Sequence, residues 1–246
     1  GQVEEDAQLV QKGYEDSGFV NALVNAQGTV DREAKTTNVI HRIAEGDLMY
    51  VGEVKITGNT VTKDDVVRRE LLLYPGERFD GTMLRASERR LENTEFYESV
   101  RFTREPIAGD DLFENLLVDV DEGKTGNFDF GLGYSTEEKF GVYSELRLRN
   151  FDIANWPSFS GAGQQLRLRL NVGQLRNQYY LAFTDPEFLG YPLAFGFDIF
   201  DESREYESGF DYEESSQGFQ LRLGKQLSPY VSTRTAFRYS DISIDN

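Results

Sequence analysis

The sequence predicts two halves of different class. The N-terminal half reads as α+β, built from β-α-α-β-β modules, and the C-terminal half as the first strands of an antiparallel transmembrane β-barrel. Three observations predict this. A pattern repeats 77 residues apart ahead of Gly123. Beyond Lys124, helical periodicity gives way to alternation with a period of two. Aromatic residues gather at the ends of the alternating runs, where membrane girdles sit.

Composition narrows the function classes. The 246 residues carry a formal net charge of −17, which disfavours a phosphate backbone as partner because nucleic acid is held by Lys and Arg. There is no cysteine, which removes disulfides, thiolate metal sites and cysteine nucleophiles. The opening Gly1-Gln2-Val3-Glu4-Glu5-Asp6 has neither the basic nor the apolar stretch of a signal peptide. No run approaches the roughly 18 apolar residues of a membrane helix. A spanning strand needs only about 9–11 alternating residues, which hydropathy averages conceal.

The repeat is carried by two matches in one register. Tyr14-Glu15-Asp16-Ser17-Gly18-Phe19 corresponds to Leu91-Glu92-Asn93-Thr94-Glu95-Phe96, and Val39 to Gly46 corresponds to Leu116 to Gly123. In the second copy, Val51 to Thr57 reads as a strand ended by Gly58-Asn59. Thr62 is the expected N-cap of a first helix with Asp65 three residues on. Asp80 is the expected cap of a second helix, whose Leu84 and Leu91 share a stripe. A hairpin comes next, Glu98 to Glu105 and Leu112 to Asp121. The first copy begins inside its second helix, where Val3, Ala7, Val10 and Tyr14 share a face, with strands expected from Phe19 to Ala26 and from Thr36 to Glu45. Three segments result: 1–47, 48–123 and 124–246.

Seven strands are expected after Lys124. Phe128, Phe130, Leu132 and Tyr134 alternate with small or polar residues, as do Val142 to Leu148 and Leu166 to Val172. The other four are Gln178 to Thr184, Leu193 to Ile199, Phe219 to Leu223 and Val231 to Ile242. One apolar and one polar face fit either a soluble sandwich or a barrel with lipid outside and water inside. Consecutive hairpins and the strand-end aromatics Phe151, Trp156, Phe159, Phe188, Tyr191 and Tyr230 favour the barrel. So does the contrast between a long loop, Asp201 to Ser216, with seven acidic residues, and a tight turn, Gln226 to Tyr230. Seven strands do not close a bacterial barrel, so further strands are expected beyond Asn246 or in another chain.

These residues resemble the BamA family, whose periplasmic modules are the polypeptide-transport-associated (POTRA) repeats. Val54-Lys55-Ile56-Thr57-Gly58-Asn59 resembles a repeat's opening strand and Glu95 to Val100 its mid-domain motif. Gly126-Asn127-Phe128-Asp129-Phe130-Gly131-Leu132-Gly133-Tyr134 resembles the first barrel strand. Asn150-Phe151, Gly161 to Gln164 and Phe183 to Phe188 resemble the next turns and strands of such a barrel. Asp152 to Ser160 departs from the pattern as an insertion, and the family's Val-Arg-Gly-Phe-type loop motif is expected in the later barrel, after the strands read here.

The resemblance implies a protein of the bacterial outer membrane with its N-terminal modules in the periplasm. It implies a folding and insertion factor rather than an enzyme, with no cofactor. Its partners would be outer-membrane lipid, unfolded outer-membrane clients and periplasmic accessory proteins or lipoproteins. In that family the first barrel strand pairs weakly with the last, so Asn127, Phe128, Asp129, Phe130, Gly131, Leu132, Gly133 and Tyr134 form the expected template strand at a lateral seam. Gly131 and Gly133 either permit close backbone approach or make room for a neighbouring aromatic. Glu98, Val100, Phe102 and Arg104 are the expected partner-docking edge, which Pro106 and nearby charges could equally block. Asp129, Glu145, Arg147, Arg149, Arg167, Arg169 and Arg222 are expected to pair across strands in a hydrated lumen. A two-partner-secretion-type transporter is the nearest rival reading, then a soluble binding sandwich and, distantly, an acid hydrolase. Catalytic chemistry has little support: His41 is the only histidine, and no nucleophile set, metal cluster or phosphate loop appears.

Overall fold

The computed structural model describes residues 2–31, 36–136, 139–206, 212–228 and 231–245. The chain divides into two compact units, Gly1–Gly123 and Lys124–Asn246.

The first unit opens with helix α1 (Gln2–Asp16) and an antiparallel hairpin of β1 (Leu23–Asp31) and β2 (Thr36–Ala44). Then come β3 (Tyr50–Thr57), α2 (Asp64–Arg68), α3 (Gly81–Asn93), β4 (Tyr97–Ile107) and β5 (Asp110–Glu122). The β-α-α-β-β order of the second copy is thus observed. Its sheet runs β3-β5-β4, with β3 parallel and β4 antiparallel to the central β5. The ends of α1 and α3, Asp16 and Asn93, lie 77 residues apart, the spacing of the sequence repeat. Strand β1 starts at Leu23, not at Phe19, because Phe19 to Ala22 form a turn closed by Ala22 N–H donating to the Phe19 carbonyl.

Alternation along β5 sends Leu116, Val118 and Val120 inward, against Val51 and Val54 of β3, Val67 of α2 and Leu91 of α3. Phe79, at 1% exposure, plugs the gap between the helices and the sheet. Val20, from the segment ahead of β1, packs into this same core. Arg85 of α3 ties to Asp16 of α1 at 2.5 Å. Asp80 caps α3 as expected, accepting from the Thr82 and Met83 amides. The expected cap of α2 is corrected: Lys63 occupies that position and its side chain does not cap the helix. Thr62 is instead held from outside, its amide donating to the Glu122 carboxylate at 2.6 Å.

The second unit is one antiparallel sheet of seven strands in strict sequence order, β6 (Gly126–Ser135), β7 (Lys139–Phe151), β8 (Gln164–Gly173), β9 (Arg176–Asp185), β10 (Ala194–Tyr206), β11 (Tyr212–Ser228) and β12 (Val231–Asp245). A 3-10 turn, Phe188–Gly190, comes after β9. The long loop expected from Asp201 to Ser216 is corrected: β10 continues to Tyr206 and β11 begins at Tyr212. Cross-strand pairing extends through this polar stretch, as in Glu202 opposite Ser216 and Tyr206 stacked on Tyr212 at 4.6 Å. Tyr230 and the end of the expected Gln226 to Tyr230 turn lie outside the described residues, while Gln226 to Ser228 belong to β11.

Register sorts the two faces. Leu146, Leu166, Phe183, Phe197 and Leu221 lie on one side. Glu145, Arg169, Tyr180, Asp198 and Gln220 lie on the other. Among the described residues no second sheet covers the apolar side, and Phe128, Phe130 and Leu132 are 62–65% exposed. The sandwich reading fails on this point, because a sandwich buries that side against a partner sheet.

Candidate functional site: a free strand edge and a charged wall

Strand β6 is the outer strand of the seven, paired with β7 on one side and with no strand of the described residues on the other. The outward N–H and C=O groups of such an outer strand are the kind that can pair with a further strand. All eight residues expected at a seam, Asn127 to Tyr134, lie in it. The two glycines differ. A Cβ on Gly131 would overlap the ring of its cross-strand neighbour Tyr143, so this glycine makes room for an aromatic lying over the strand. Gly133 has open space around its Cβ position and pairs with another glycine, Gly141, which in turn faces Gly173. Sequence alone leaves both roles open; the pairing register assigns the aromatic one to Gly131.

The polar side carries a charge network centred on Glu145, itself 4% exposed. Its carboxylate accepts from Nε of Arg147, from Nε of Arg167 at 2.7 Å and from Nε of Arg169 at 2.8 Å. Arg147 also lies 3.9 Å from Asp129, which accepts from Asn127 at 3.0 Å. Further along, Arg222 lies across Gly196 and reaches Asp198 at 2.8 Å and Thr184 at 3.1 Å. Arg176 pairs with Glu202 at 2.7 Å. The expected cross-strand pairs exist, but one carboxylate serves three arginines, which only the register reveals.

The strand-end aromatics divide. Phe151 is buried, stacked on Phe159 at 5.8 Å and against Phe183 at 6.4 Å on the apolar side. Phe188 folds back onto Phe195 at 4.7 Å. Trp156, edge-on to Phe159 at 5.1 Å, is 77% exposed and Tyr191 is 68% exposed. The connections 152–163 and 186–193 both fall at the end where β6 begins.

In the first unit β4 is an edge strand. Of its expected docking residues, Val100 is buried in the core, Phe102 packs against it, and Glu98 and Arg104 are exposed. Arg104 is engaged by Glu114 at 3.3 Å and lies 5.9 Å from the Phe79 ring centre. The other edge, β3, is partly covered: Gly76 N–H donates to the Val51 carbonyl, and Val51 N–H to the Glu77 carbonyl. Glu122, the last residue of β5, accepts from the Thr60, Val61 and Thr62 amides and from the Thr60 hydroxyl. Burial pushes its pKa up, but these bonds outweigh burial and bring it down to about 2.

A β-α-α-β-β module leading into a one-layer sheet with a greasy face and a charged face defines an outer-membrane barrel protein that carries periplasmic modules ahead of its barrel. Family models agree: an Omp85 superfamily domain matches residues 158–246 and a POTRA model, described as a surface antigen variable number repeat, matches 49–123. The chain is 30% identical over 233 residues to the outer membrane protein assembly factor BamA of Nitratidesulfovibrio vulgaris, covering 95% of this chain and 28% of that protein. The crystal structure of BamA from Haemophilus ducreyi lacking POTRA domains 1–3 superposes with a TM-score of 0.81 at 22% identity, over 100% of this chain and 45% of that one. CdiB from Escherichia coli shares the fold with a TM-score of 0.58 at 11% identity, over 99% of this chain and 46% of that one. The chain thus carries a POTRA match and an Omp85 superfamily match, is similar to BamA proteins along nearly its whole length, and spans under a third of the length of that curated relative.

Proposed function

We propose that this chain is part of an outer-membrane protein assembly factor that folds and inserts β-barrel clients by offering β6 as a template strand. What supports the reading is the place of β6 as the first strand of the sheet, continuous over Asn127 to Tyr134 and loosely packed at Gly133, which pairs with a second glycine, Gly141. An unfolded client strand satisfies its backbone groups there before meeting hydrocarbon, where each unpaired group costs several kcal/mol. The apolar side faces outer-membrane lipid, with Trp156 and Tyr191 at the membrane boundary. The N-terminal modules stand in the periplasm, and the β4 edge offers backbone pairing to accessory proteins or lipoproteins. Val100 is committed to the core, so docking there uses the main chain with Glu98 and Arg104 as flanking charges.

Cysteine substitution tests the template. This segment has no cysteine of its own, so in a full-length protein cleared of any cysteine elsewhere, a single cysteine at Asn127, Asp129 or Gly133 reports one contact. Disulfide capture of a client carrying cysteines in its last strand is expected at β6 and not at matched positions in β9. Normal client assembly with no capture at any β6 position overturns the proposal. The likeness to CdiB supports a second reading, a two-partner-secretion-type transporter, in which the client crosses the lumen and is captured by polar-face positions of inner strands instead.

A further inference from the structure

The polar wall of β6 to β8 is electropositive, although the chain as a whole carries a formal net charge of −17. Among the described residues, Lys139, Arg147, Arg149, Arg167 and Arg169 share that face with two carboxylates, Asp129 and Glu145. Arg147 stands directly opposite Arg167, a like-charge pair that destabilises a sheet unless an anion is shared. Glu145 is that anion, and it contacts all three arginines through Nε. Each guanidinium has five donors in a fork suited to carboxylates. Among the described residues, the terminal nitrogens of Arg167 and Arg169 form no hydrogen bond with the protein. They stay partly exposed, with side-chain exposures of 41% and 37%. Beside them Arg147, Arg149, Arg167 and Arg222 border a hollow of about 360 Å³ floored by Tyr180 and Thr184.

We infer that this wall is a binding site for an acidic polypeptide segment, whose Asp or Glu carboxylates take the guanidinium forks that Arg167 and Arg169 of β8 leave open. The charge count specifies the sign of the ligand, and the fork geometry specifies carboxylate. Position specifies polypeptide: neighbouring strands lie about 4.8 Å apart, so β7 and β8 are within about 10 Å of the β6 edge where the proposed function brings a client. The inference rests on that reading for the source of the ligand, though not for its chemistry. Glu145 acts as an internal competitor that keeps the cluster soluble and ordered until a second carboxylate arrives.

The experiment uses the full-length protein in lipid nanodiscs and two labelled extended peptides, one alternating Glu with Ser and one alternating Lys with Ser. Binding is measured by fluorescence anisotropy. The Glu peptide is expected to bind and the Lys peptide not to. Affinity should fall in about 1 M salt, where charges are screened beyond about 3 Å. Arg167→Gln with Arg169→Gln should weaken the Glu peptide about tenfold or more, the scale of one or two charge-assisted bonds. Glu145→Gln should instead tighten it, because three guanidinium groups lose their internal partner; a merely damaged wall would weaken it. Equal binding of the two peptides, or affinity unchanged by both substitutions, overturns the inference. Peptide binding that persists in a protein shown not to capture clients at β6 overturns the template reading and leaves this one standing.

Discussion

At the scale of single residues, the same side chain type does different work according to its neighbours. Glu122 and Glu45 occupy matching places in the sequence repeat, yet Glu45 accepts one bond from the Tyr14 hydroxyl while Glu122 gathers the whole Thr60–Thr62 turn. That makes Glu122 the N-terminal anchor of α2, a role assigned from sequence to Thr62 because a cap is normally local. A carboxylate arriving from 60 residues away has no local signature. Because its folded pKa lies near 2, below the ordinary 4.5, its contribution is complete above about pH 4.5 and is lost as pH falls toward 2. Glu122→Gln should speed hydrogen exchange of the Thr60, Val61 and Thr62 amides and cost about 1 kcal/mol, a modest figure because the group is partly solvated. Carboxyl chemical shifts tracked between about pH 5 and 2 should show Glu122 titrating below the other glutamates; an ordinary midpoint would remove the anchor. Gly131 gives a second test. Gly131→Ala should destabilise the full-length barrel by about 1–3 kcal/mol through overpacking against Tyr143. Tyr143→Ala should cancel much of that loss in a double-mutant cycle read by thermal melting in detergent, whereas Gly133→Ala should be nearly silent.

Elements were legible where local chemistry decides them. Asp80 before a helical stripe, the hairpin around Gly109 and the seven alternating runs all appear as expected, because caps, turns and period are local signals. Legibility failed where tertiary pairing overrode composition. Acidic Asp201 to Tyr206 and Tyr212 to Ser216 look like a solvated loop, yet cross-strand partners hold them in β10 and β11. The insertion Asp152 to Ser160 reads as a departure from a pattern and folds into a turn between β7 and β8. Its aromatic chain, Trp156 on Phe159 on Phe151 on Phe183, runs onto the apolar side of the sheet. Phe151 and Phe159 therefore brace the turn, and Trp156 is its exposed end, the side chain proposed for the membrane boundary. In bilayers with brominated acyl chains, the fluorescence component removed by Trp156→Phe should be strongly quenched when bromines sit near the headgroups and weakly when they sit near the bilayer centre. A component insensitive to bromine position would place Trp156 in water.

For the molecule as a whole, the deciding question is what touches the greasy side of the second unit. Two-residue alternation states that such a side exists but not whether protein or lipid covers it, since a sandwich and a barrel share the pattern. Among the described residues, seven strands in sequence order form a single layer, with Phe128, Phe130, Leu132, Ile199, Phe237 and Tyr239 uncovered on one side and β6 and β12 outermost. An open sheet with an exposed apolar face is an aggregation template in water, and detergent or lipid covers only the face, not the edges. Residues 124–246 prepared alone should therefore precipitate without detergent. In detergent they should remain oligomeric, as edges pair between copies. The first unit, whose core is closed by α2, α3 and three strands, should stay soluble under the same conditions. Size-exclusion chromatography with light scattering separates the outcomes. A monomeric, detergent-free second unit would mean that its apolar side finds protein rather than hydrocarbon, and with it the template strand would lose the membrane that gives an unpaired edge its value.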